Sequence, residues 1–594
     1  MIRTPLRPLA RILDARRKGE NPDAIERENI RLRHEEMRDR ARRRAEGRLL
    51  VLAGLFLAGF TVIGGQMAVL AQSDPSEPRA GAGATRILAQ RADIVDRRGR
   101  VLATNFDTHS LYAQPQQMID PEGAAAKLAE IFPDLDAARL ARDFTGKRKF
   151  MWIRRTLSPE QKQAVHDIGE PGLLFGPREM RLYPNGRLAA HVLGGAGFGD
   201  EGVSAAEVIG VAGIEKALDA RLRDPARAHA PLVLSLDLSV QAAMEKVLAG
   251  GMSIMNAKGA AGILMDAHSG EVVAISSLPD FDPNNRPAPP AEGAPDDSPL
   301  FNRAVQGVYE LGSTAKTFTI AQALERGQVA PDTVINTESP MKWGRFTIRD
   351  FRDYGRELSV IKVLVKSSNV GTARIAVETG AERQQAFLKE LGLLDPVPLE
   401  ITEAGGSQPL LPPKWSELST MTISYGHGLA ISPLHLAAAY ATVVGGGRRV
   451  TPTLLHDADR APGPRVISED TSATMRDLLR RVVTEGTASL AEVPGYAVAG
   501  KTGTADKPKS QGGGYHDDRV IATFAGMFPA HDPRYVIVVT LDEPVETSGS
   551  EPRRTAGWTA VPVAAEIIRR TAPLLGLRPE IEQAGAAAIR RASN

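Results

Sequence analysis

The clearest hydrophobic pattern in the chain is an apolar run over residues 49–71 that contains no charged side chain. At about 1.5 Å per residue, a helix of this length spans the ~30 Å hydrocarbon core of a bilayer. A buried core helix would show a polar stripe, and this run has none. A cleaved signal peptide would have a shorter charged region before it, although Val69-Leu70-Ala71 resembles a cleavage site. The pattern therefore predicts an uncleaved transmembrane signal anchor.

The region before the anchor predicts its orientation. Residues 1–48 carry 15 Arg and Lys against 9 Asp and Glu and few apolar positions, which is typical of a solvated basic tail. Basic flanks stay on the cytoplasmic side of a membrane. We therefore expect a single-pass inner-membrane protein with a cytoplasmic N-terminus and with everything after residue 71 on the periplasmic side.

The pattern over residues 72–230 predicts a linker followed by a non-catalytic pedestal domain. A Ser/Pro/Gly/Ala-rich stretch over 73–85 precedes residues 92–103, where the pattern predicts two short strands around an Arg-Gly turn. Residues 197–202 match G-x-G-x-x-G, but no strand of proper length precedes them and no helix starts on the last glycine. A loop is the better interpretation than a dinucleotide site.

Residues 231–575 show strands at both ends and helices between them. The predicted elements are a strand at 231–236, a helix over 240–248 capped by Asp237 or Ser239, a hairpin over 260–276, a Pro-rich surface loop at 280–299, strands at 520–528 and 535–541, and a helix at 560–574. This order predicts an α+β domain with an antiparallel sheet and an inserted helical subdomain. Residues 576–594 are predicted to be a frayed tail.

Bulk composition excludes several classes of function. The 594 residues give a net charge of +2, so nothing global points to nucleic acid. The chain has no cysteine, which rules out disulfides, thiolate metal sites and a cysteine nucleophile. No histidines stand at ligand spacing with a carboxylate on a helix, so we expect neither a metal nor another cofactor.

The first candidate for chemistry is Ser313-x-x-Lys316, at the start of an apolar segment that predicts a buried helix. Positions i and i+3 share a helix face, so the amine can reach the hydroxyl and activate it as a nucleophile. Such a pair is expected about once by chance in a chain of this size, and it therefore needs support from other motifs.

Two further triplets supply that support. Ser367-Ser368-Asn369 opens an apolar segment, and Lys501-Thr502-Gly503-Thr504 follows another and is predicted to end a strand. Each alone is more often a helix cap or a strand end. In this order and at these spacings, the three motifs together indicate one site for acyl transfer through a serine ester.

The residue types suggest roles in that chemistry. Ser313 is the predicted nucleophile, and Lys316, held away from water, is the predicted base. Ser367, with Lys501 beside it, is placed to relay a proton to the leaving amine. The Asn369 amide is expected to bond Lys316 and the substrate backbone.

The third motif predicts a substrate-binding strand. The hydroxyls of Thr502 and Thr504 are expected to meet a substrate carboxylate together with the Lys501 ammonium. The backbone N–H groups of Ser313 and Thr504 are the predicted oxyanion donors. Gly503 lacks a Cβ, which would let a substrate lie along the strand.

These motifs resemble those of the penicilloyl-serine transferases. With an anchor and a non-catalytic module before them, the chain resembles a class B penicillin-binding protein over residues 91–574. Asn369, Thr502 and the stretch 424–434 resemble the division-specific type rather than the elongation-specific one. Residues 91–103 and the segments Tyr183-Pro184-Asn185-Gly186 and Gly213-Ile214-Glu215 resemble that family's pedestal.

The resemblance implies peptidoglycan cross-linking without a cofactor. The enzyme would release the terminal D-Ala of one stem peptide, pass the acyl group to an amine of a neighbouring stem, and be acylated by β-lactam antibiotics. Expected partners are peptidoglycan stem peptides and the lipid-linked precursor, a glycan polymerase of the SEDS family, and other division proteins. No region of the chain resembles a transglycosylase, because no concentrated acidic pair precedes residue 230.

The sequence departs from the family pattern at two positions. Leu311 stands where proline is usual, and Ala315 stands where a larger apolar residue is frequent. Neither change removes a functional atom. His427 lies where the family varies and is given no catalytic role.

Three alternatives stay open at this point. An elongation-specific transpeptidase would have the same chemistry in another complex. A β-lactamase-type hydrolase would not need the anchor and pedestal, and no extra base for deacylation is evident. A silent scaffold or β-lactam sensor would usually have lost a catalytic residue.

Residues 507–519 are a mobile lid or, as the simpler interpretation, an idle hairpin tip.

Overall fold

The computed structural model describes residues 7–72, 91–198, 208–227, 230–456, 461–509 and 514–580. The predicted loop at 197–202 and the predicted tail lie largely outside the described residues. The described residues form two compact units. One is drawn from Met1–Arg79, Leu111–Arg154 and Glu160–Phe175, and the other from Ala80–Ser110, Arg155–Pro159 and Gly176–Asn594.

The N-terminal segment is helical. It forms α1 (Arg7–Arg17) and α2 (Pro22–Gln72). The predicted anchor lies inside α2, where Gly47–Gly64 is long and apolar enough to cross a membrane and none of it is buried. Apolar side chains that a folded chain leaves uncovered along a whole helix are typical of a segment that belongs in lipid.

The segment before residue 230 alternates short strands and helices. In chain order these are β1 (Ile94–Val95), β2 (Val101–Ala113), α3 (Pro121–Ile131), α4 (Ala137–Phe144), β3 (Met151–Leu157), α5 (Pro159–His166), β4 (Leu173–Leu182), α6 (Ala190–Leu193), β5 (Gly195–Phe198), β6 (Val208–Ala212), α7 (Gly213–Ala217) and α8 (Asp219–Leu222).

The predicted strand pair at 92–103 is present. β1 and β2 are antiparallel, with Ile94 opposite Ala103. The turn between them places Gly99 at φ +80°, a left-handed conformation that glycine adopts without strain. The Asp96 carboxylate closes the turn by accepting hydrogen bonds from the backbone N–H of Arg98 and Arg100 at 2.9 and 2.8 Å.

A buried ion cluster accounts for the charged positions of this segment. Glu215 is completely buried, and its two carboxylate oxygens accept from Arg91 Nε at 2.6 Å and Arg181 Nε at 2.7 Å. A buried carboxylate is tolerated only when each oxygen is paired, so the three residues require one another.

The larger part of the chain contains the remaining elements. They are β7 (Leu232–Val233), α9 (Leu238–Ile254), β8 (Gly259–Asp266), β9 (Val272–Leu278), β10 (Tyr309–Glu310), α10 (Lys316–Glu325), β11 (Val334–Asn336), β12 (Met341–Trp343), β13 (Phe346–Ile348), β14 (Glu357–Ser359), α11 (Val360–Lys366), α12 (Asn369–Thr379), α13 (Ala381–Glu390), α14 (Glu417–Ser424), β15 (Ala430–Ile431), α15 (Pro433–Val444), α16 (Glu469–Glu485), β16 (Ala499–Pro508), β17 (Tyr515–Phe528), β18 (Tyr535–Asp542) and α17 (Ala560–Thr571).

The central sheet has the order β16-β17-β18-β8-β9, and every neighbouring pair is antiparallel. β8 and β9 come from the beginning of this region and β16 to β18 from its end, so α10 to α16 form an insertion between them. The prediction of an α+β fold with an antiparallel sheet and an inserted helical part is confirmed.

Helices cover the sheet on both faces. Every residue of β9 and β18 is buried, and successive side chains of a strand point to opposite faces, so neither face is open to water. Helices α9, α15 and α17 pack against the sheet. α9 begins at Asp237, one of the two predicted caps, whose carboxylate accepts from Ser239 N at 2.9 Å and Val240 N at 3.3 Å.

One element prediction is wrong. The Lys501 motif lies near the beginning of β16 rather than at the end of a strand, because pairing with β17 starts only at Ala499, opposite Met527. Ala497 adopts φ +34° two residues earlier, a conformation that cannot continue a strand. The apolar stretch before the motif therefore leads into β16.

Candidate active site

The predicted nucleophile lies on a tight turn. Residues Gly312–Ala315 form one turn of 3₁₀-helix that runs directly into α10. Ser313 is partly exposed, whereas Lys316 is fully buried on the same side of the turn. Lys316 Nζ lies 2.9 Å from Ser313 Oγ, so the sequence spacing translates into direct hydrogen-bond contact.

Lys316 Nζ is surrounded by four oxygen atoms. Besides Ser313 Oγ it contacts the Ser367 carbonyl at 2.8 Å, Ser367 Oγ at 3.0 Å and Asn369 Oδ1 at 2.7 Å. The carbonyl and the amide oxygen can only accept hydrogen bonds, and together they use both N–H donors of a neutral amine. The amine lone pair is then left for a hydroxyl proton, as a base for Ser313 requires.

The electrostatics favour the neutral amine. Burial lowers the pKa of Lys316 well below its usual value, the nearby Lys501 cation lowers it further, and Asp350 opposes both effects. Water cannot solvate the ammonium form in a fully buried position. Lys316 is therefore more easily deprotonated than an exposed lysine.

Ser367 connects the two lysines. It stands between α11 and α12 at φ +63°, an uncommon left-handed conformation for a residue with a Cβ. Its Oγ accepts from Lys501 Nζ at 3.1 Å and lies 3.0 Å from Lys316 Nζ. Burial lowers the pKa of Lys501 to about 7, so this amine can exchange a proton near neutrality.

The threonine hydroxyls of β16 have protein partners. Thr504 Oγ1 accepts from the backbone N–H of Ala556 at 3.0 Å and keeps its own proton to donate. Thr502 Oγ1 lies 2.7 Å from Thr487 Oγ1. If Thr487 donates in that pair, Thr502 also retains a proton to donate.

The structure gives a second reason for a glycine at position 503, besides the predicted room for a substrate. A Cβ at Gly503 would lie 2.5 Å from the Leu311 carbonyl oxygen, and one at Gly312 would lie 2.9 Å from Thr504 N. The glycines therefore let the nucleophile turn pack directly on β16. This packing places the backbone of Gly312 against that of Thr504. Gly312 directly precedes Ser313, so the two predicted oxyanion donors, the N–H groups of Ser313 and Thr504, belong to neighbouring stretches of backbone.

Comparison with known proteins identifies the family. The model of the penicillin-binding protein transpeptidase domain matches residues 260–569, and that of the penicillin-binding protein dimerisation domain matches residues 86–226. The chain belongs to the penicillin-binding protein transpeptidase family.

Individual relatives agree with this assignment. The chain is 36% identical over 567 residues to a probable peptidoglycan D,D-transpeptidase FtsI of Caulobacter vibrioides, covering 93% of both proteins. It is 29% identical to the peptidoglycan D,D-transpeptidase FtsI of Escherichia coli K12 over 493 residues, or 77% of this chain and 80% of that protein.

A solved structure matches as well. The crystal structure of penicillin-binding protein 3 from Mycobacterium tuberculosis, complexed with aztreonam, has a TM-score of 0.62 at 26% identity and covers 83% of this chain and 98% of that one. The predicted family, class B penicillin-binding proteins of the penicillin-binding protein 3 type, is confirmed, as is the predicted D,D-transpeptidase activity.

Asp350 lies beside the site in this penicillin-binding protein, and the sequence motifs did not reveal it. Its carboxylate accepts from Ser368 Oγ at 2.7 Å, Asn369 N at 2.5 Å and Val370 N at 3.0 Å. It therefore bonds three consecutive residues directly after Ser367. No motif marks it, because it lies in the loop after β13.

Glu310 is a further residue near the nucleophile that no motif marked, and it contacts His427, for which no catalytic role was predicted. The Glu310 carboxylate lies 2.9 Å from His427 Nδ1 and accepts from Gly428 N at 2.8 Å and Tyr515 Oη at 2.9 Å. These four residues are called the Glu310 clasp below. Burial would raise the pKa of Glu310, but the hydrogen bonds from His427 and Gly428 outweigh it and lower the pKa. The clasp joins β10, the short strand before the nucleophile turn, to the first residue of β17.

The two departures from the family pattern leave the turn intact. Leu311 adopts φ −69°, the value that a proline ring would impose, so the backbone is the same without the ring. Ala315 is buried and is the last residue of the 3₁₀ turn, directly before α10. Among the described residues, no group of three or more His, Asp or Glu side chains is placed to hold a metal ion.

Proposed function

We propose that this peptidoglycan D,D-transpeptidase works through an acyl-enzyme on Ser313. Ser313 Oγ attacks the carbonyl carbon between the two terminal D-Ala residues of a donor stem and gives its proton to Lys316 Nζ. The position of Lys316 Nζ, 2.9 Å from the nucleophile and saturated by two obligate acceptors, carries this proposal.

The leaving amine requires a proton. Ser367 Oγ lies between Lys316 and Lys501 and can pass a proton to the departing D-Ala nitrogen while it is replenished from either amine. An amine of a neighbouring stem then attacks the ester carbon, its proton returns along the same path, and Ser313 is released. The bond formed is the cross-link, and no cofactor enters the scheme.

The substrate is held along β16. Thr502 and Thr504 donate to the terminal carboxylate with the Lys501 charge nearby, and the amides of Ser313 and Thr504 receive the oxyanion. Asn369 Oδ1 accepts a hydrogen bond from Lys316 Nζ, and the Asn369 amide lies where it can also bond the substrate backbone. β-Lactams acylate the same serine, in line with the aztreonam complex of the structural neighbour.

The enzyme acts at the division septum, outside the inner membrane. The FtsI-type relatives and the apolar segment of α2 support this placement, with residues 1–48 in the cytoplasm, 72–230 as linker and pedestal, and 231–575 as the transpeptidase domain. A SEDS-family glycan polymerase and division proteins are the proposed partners, because the chain itself has no transglycosylase motif.

Mass spectrometry of the penicillin adduct tests the nucleophile. We expect one acyl group on the peptide that contains Ser313, and no adduct in Ser313→Ala. Ser298→Ala changes a serine outside the site, whose Oγ accepts from Leu300 N, and this variant should label normally. An adduct on another residue would refute the assignment.

A further inference from the structure

The Ser367–Asn369 turn adopts a backbone conformation that needs support. Ser367 has φ +63°, and a residue with a Cβ in this region costs about 1–2 kcal/mol relative to ordinary helical or extended backbone. Such a conformation persists where the surroundings fix it. The strain is useful, because it directs Ser367 Oγ to both lysines.

The groups that fix this turn come from Arg349 and Asp350. The Asp350 carboxylate accepts from the first two backbone N–H groups of α12, which have no partner within the helix, and from Ser368 Oγ. A carboxylate at a helix N-terminus also interacts favourably with the helix dipole. Ser368 Oγ in turn accepts from Gly371 N at 3.0 Å, so the cap and the carboxylate form one network.

The same loop orients the Asn369 amide. Asn369 Nδ2 donates to the Arg349 carbonyl at 3.0 Å, which leaves Oδ1 facing Lys316 Nζ at 2.7 Å. If the amide turned over, it would present an N–H to the amine and remove one of the two acceptors that keep its lone pair free. The loop after β13 therefore sets the hydrogen-bond geometry of the base.

We propose that Asp350 is a positioning residue for acylation, which holds the Ser367–Asn369 turn on Lys316 and supplies the negative charge that acts on this buried amine. The inference rests on the proposed role of Lys316. The charged groups that act on Lys316 are Lys501 of β16 and Asp350, while the groups that α10, α11 and α12 bring to it, Ser313, Ser367 and Asn369, are uncharged.

The test is the acylation rate of Asp350→Asn with a fluorescent penicillin between pH 5 and 9. The side-chain size is retained, but the bonds to α12 lose their charge assistance, so we expect a plateau rate about tenfold lower. Removal of the negative charge lowers the pKa of Lys316. In a plot of the acylation rate against pH, the rise on the acidic side, called the acidic limb below, should therefore move to lower pH.

Asp353→Asn is the matched control. Asp353 lies on the same loop, is exposed, and accepts a hydrogen bond from Gly355 N at 2.9 Å without contacting α12. It should leave the plateau and both limbs unchanged. Asp350→Ala, which also removes the acceptor oxygens, should be slower than Asp350→Asn.

An Asp350→Asn enzyme with a wild-type plateau and an unmoved acidic limb would overturn the proposal, even if its thermal stability fell, because a purely structural residue would act that way. The adduct site in the wild-type enzyme separates the two hypotheses. If Ser313 is not acylated, the proposed function fails. If Ser313 is acylated but Asp350→Asn keeps the wild-type plateau and acidic limb, the inference on Asp350 fails.

Discussion

Two buried amines share the Ser367 hydroxyl, so the charge on one controls the other. A cation at Lys501 lowers the pKa of Lys316, and Lys501 itself titrates at about 7 because of burial. The acylation rate should therefore rise as Lys316 loses its proton and fall as Lys501 loses its own.

Lys501→Met tests this coupling. Removal of the neighbouring charge raises the pKa of Lys316, so the acidic limb of the acylation profile should move to higher pH, and the alkaline limb near pH 7 should disappear. We expect the maximal rate to fall about 100-fold, a typical value for loss of proton transfer. Stopped-flow acylation across the pH range measures all three effects.

Lys366→Met provides the control for that experiment. Lys366 is adjacent to Ser367 in sequence but exposed, with its Nζ 5.7 Å from the Tyr354 ring centroid. Its profile should match the wild type. If Lys501→Met kept the alkaline limb, another group would be responsible for it.

The residues proposed to be catalytic could be singled out in the sequence because each belongs to a short contiguous motif, and the structure brings them together. Asp350 was not, since its three partners lie 18 to 20 residues further along the chain, beyond β14 and α11. Pairing at that separation depends on how the loop folds back. Glu310 stands in the same stretch as Ser313, but nothing local indicated that His427 and Tyr515 would reach it.

At the level of elements, the nucleophile turn and β16 are in backbone contact through glycines. Gly503→Ala would place a methyl group 2.5 Å from the Leu311 carbonyl, and the turn would have to move away from the strand. Overpacking of this kind costs about 1–3 kcal/mol. We expect acylation to slow by about fivefold or more.

Gly405→Ala is the control for the glycine variant. Gly405 has open space where its Cβ would be and no positive φ, so the substitution should leave acylation unchanged. A Gly503→Ala enzyme as fast as the wild type would show that the turn and the strand tolerate separation.

The Glu310 clasp bears on whether the β16–β17 tip is a lid or idle. Tyr515 begins β17 and donates to Glu310, and its ring meets the His427 ring edge-on at 6.1 Å. The first residue of β17 is therefore hydrogen-bonded to β10, the strand that precedes the nucleophile turn. The sequence could not indicate it, because the contact joins residues 205 positions apart.

Tyr515→Phe removes the bond to Glu310 and keeps the ring. We expect faster hydrogen exchange in the first residues of β17, and a coupling energy of about 0.5–1.5 kcal/mol with Glu310→Gln in a double-mutant cycle on acylation. Tyr354→Phe, a tyrosine outside the clasp, should change neither. If hydrogen exchange were equally fast in Tyr515→Phe and the wild type, strand pairing alone would hold the start of β17 in place.

At the scale of the whole chain, the sequence predicted the α+β fold, because a region with strands at both ends and helices between them brings the strands into one sheet. It predicted strand positions less well. β17 begins five residues before the expected start, since its first residues are largely exposed and carry no apolar signal. β7 has two residues where six were expected, although Leu234 and Leu236 are buried, because an apolar position indicates burial and not strand pairing.

A chain that starts at Ser73 tests the role of the N-terminal helices. Every catalytic residue lies after that point, so the truncated protein should be soluble and acylate at the wild-type rate, whereas the full chain should sediment with membranes. The truncated Ser313→Ala protein is the control for non-specific labelling. A full chain that stays soluble without detergent would refute the membrane anchor.

The depressed pKa values of the two catalytic amines also bear on stability. Lys501 prefers its charged form in the unfolded chain up to a pH of about 10.4 but in the folded chain only up to about 7. Its burial therefore destabilises the fold by a few kcal/mol below pH 7, and the penalty vanishes as the pH approaches 10. Lys501→Met should melt at a higher temperature than the wild type at pH 6, with the gap narrowing by pH 9. Selection for thermal stability alone would thus favour loss of the group that the reaction needs.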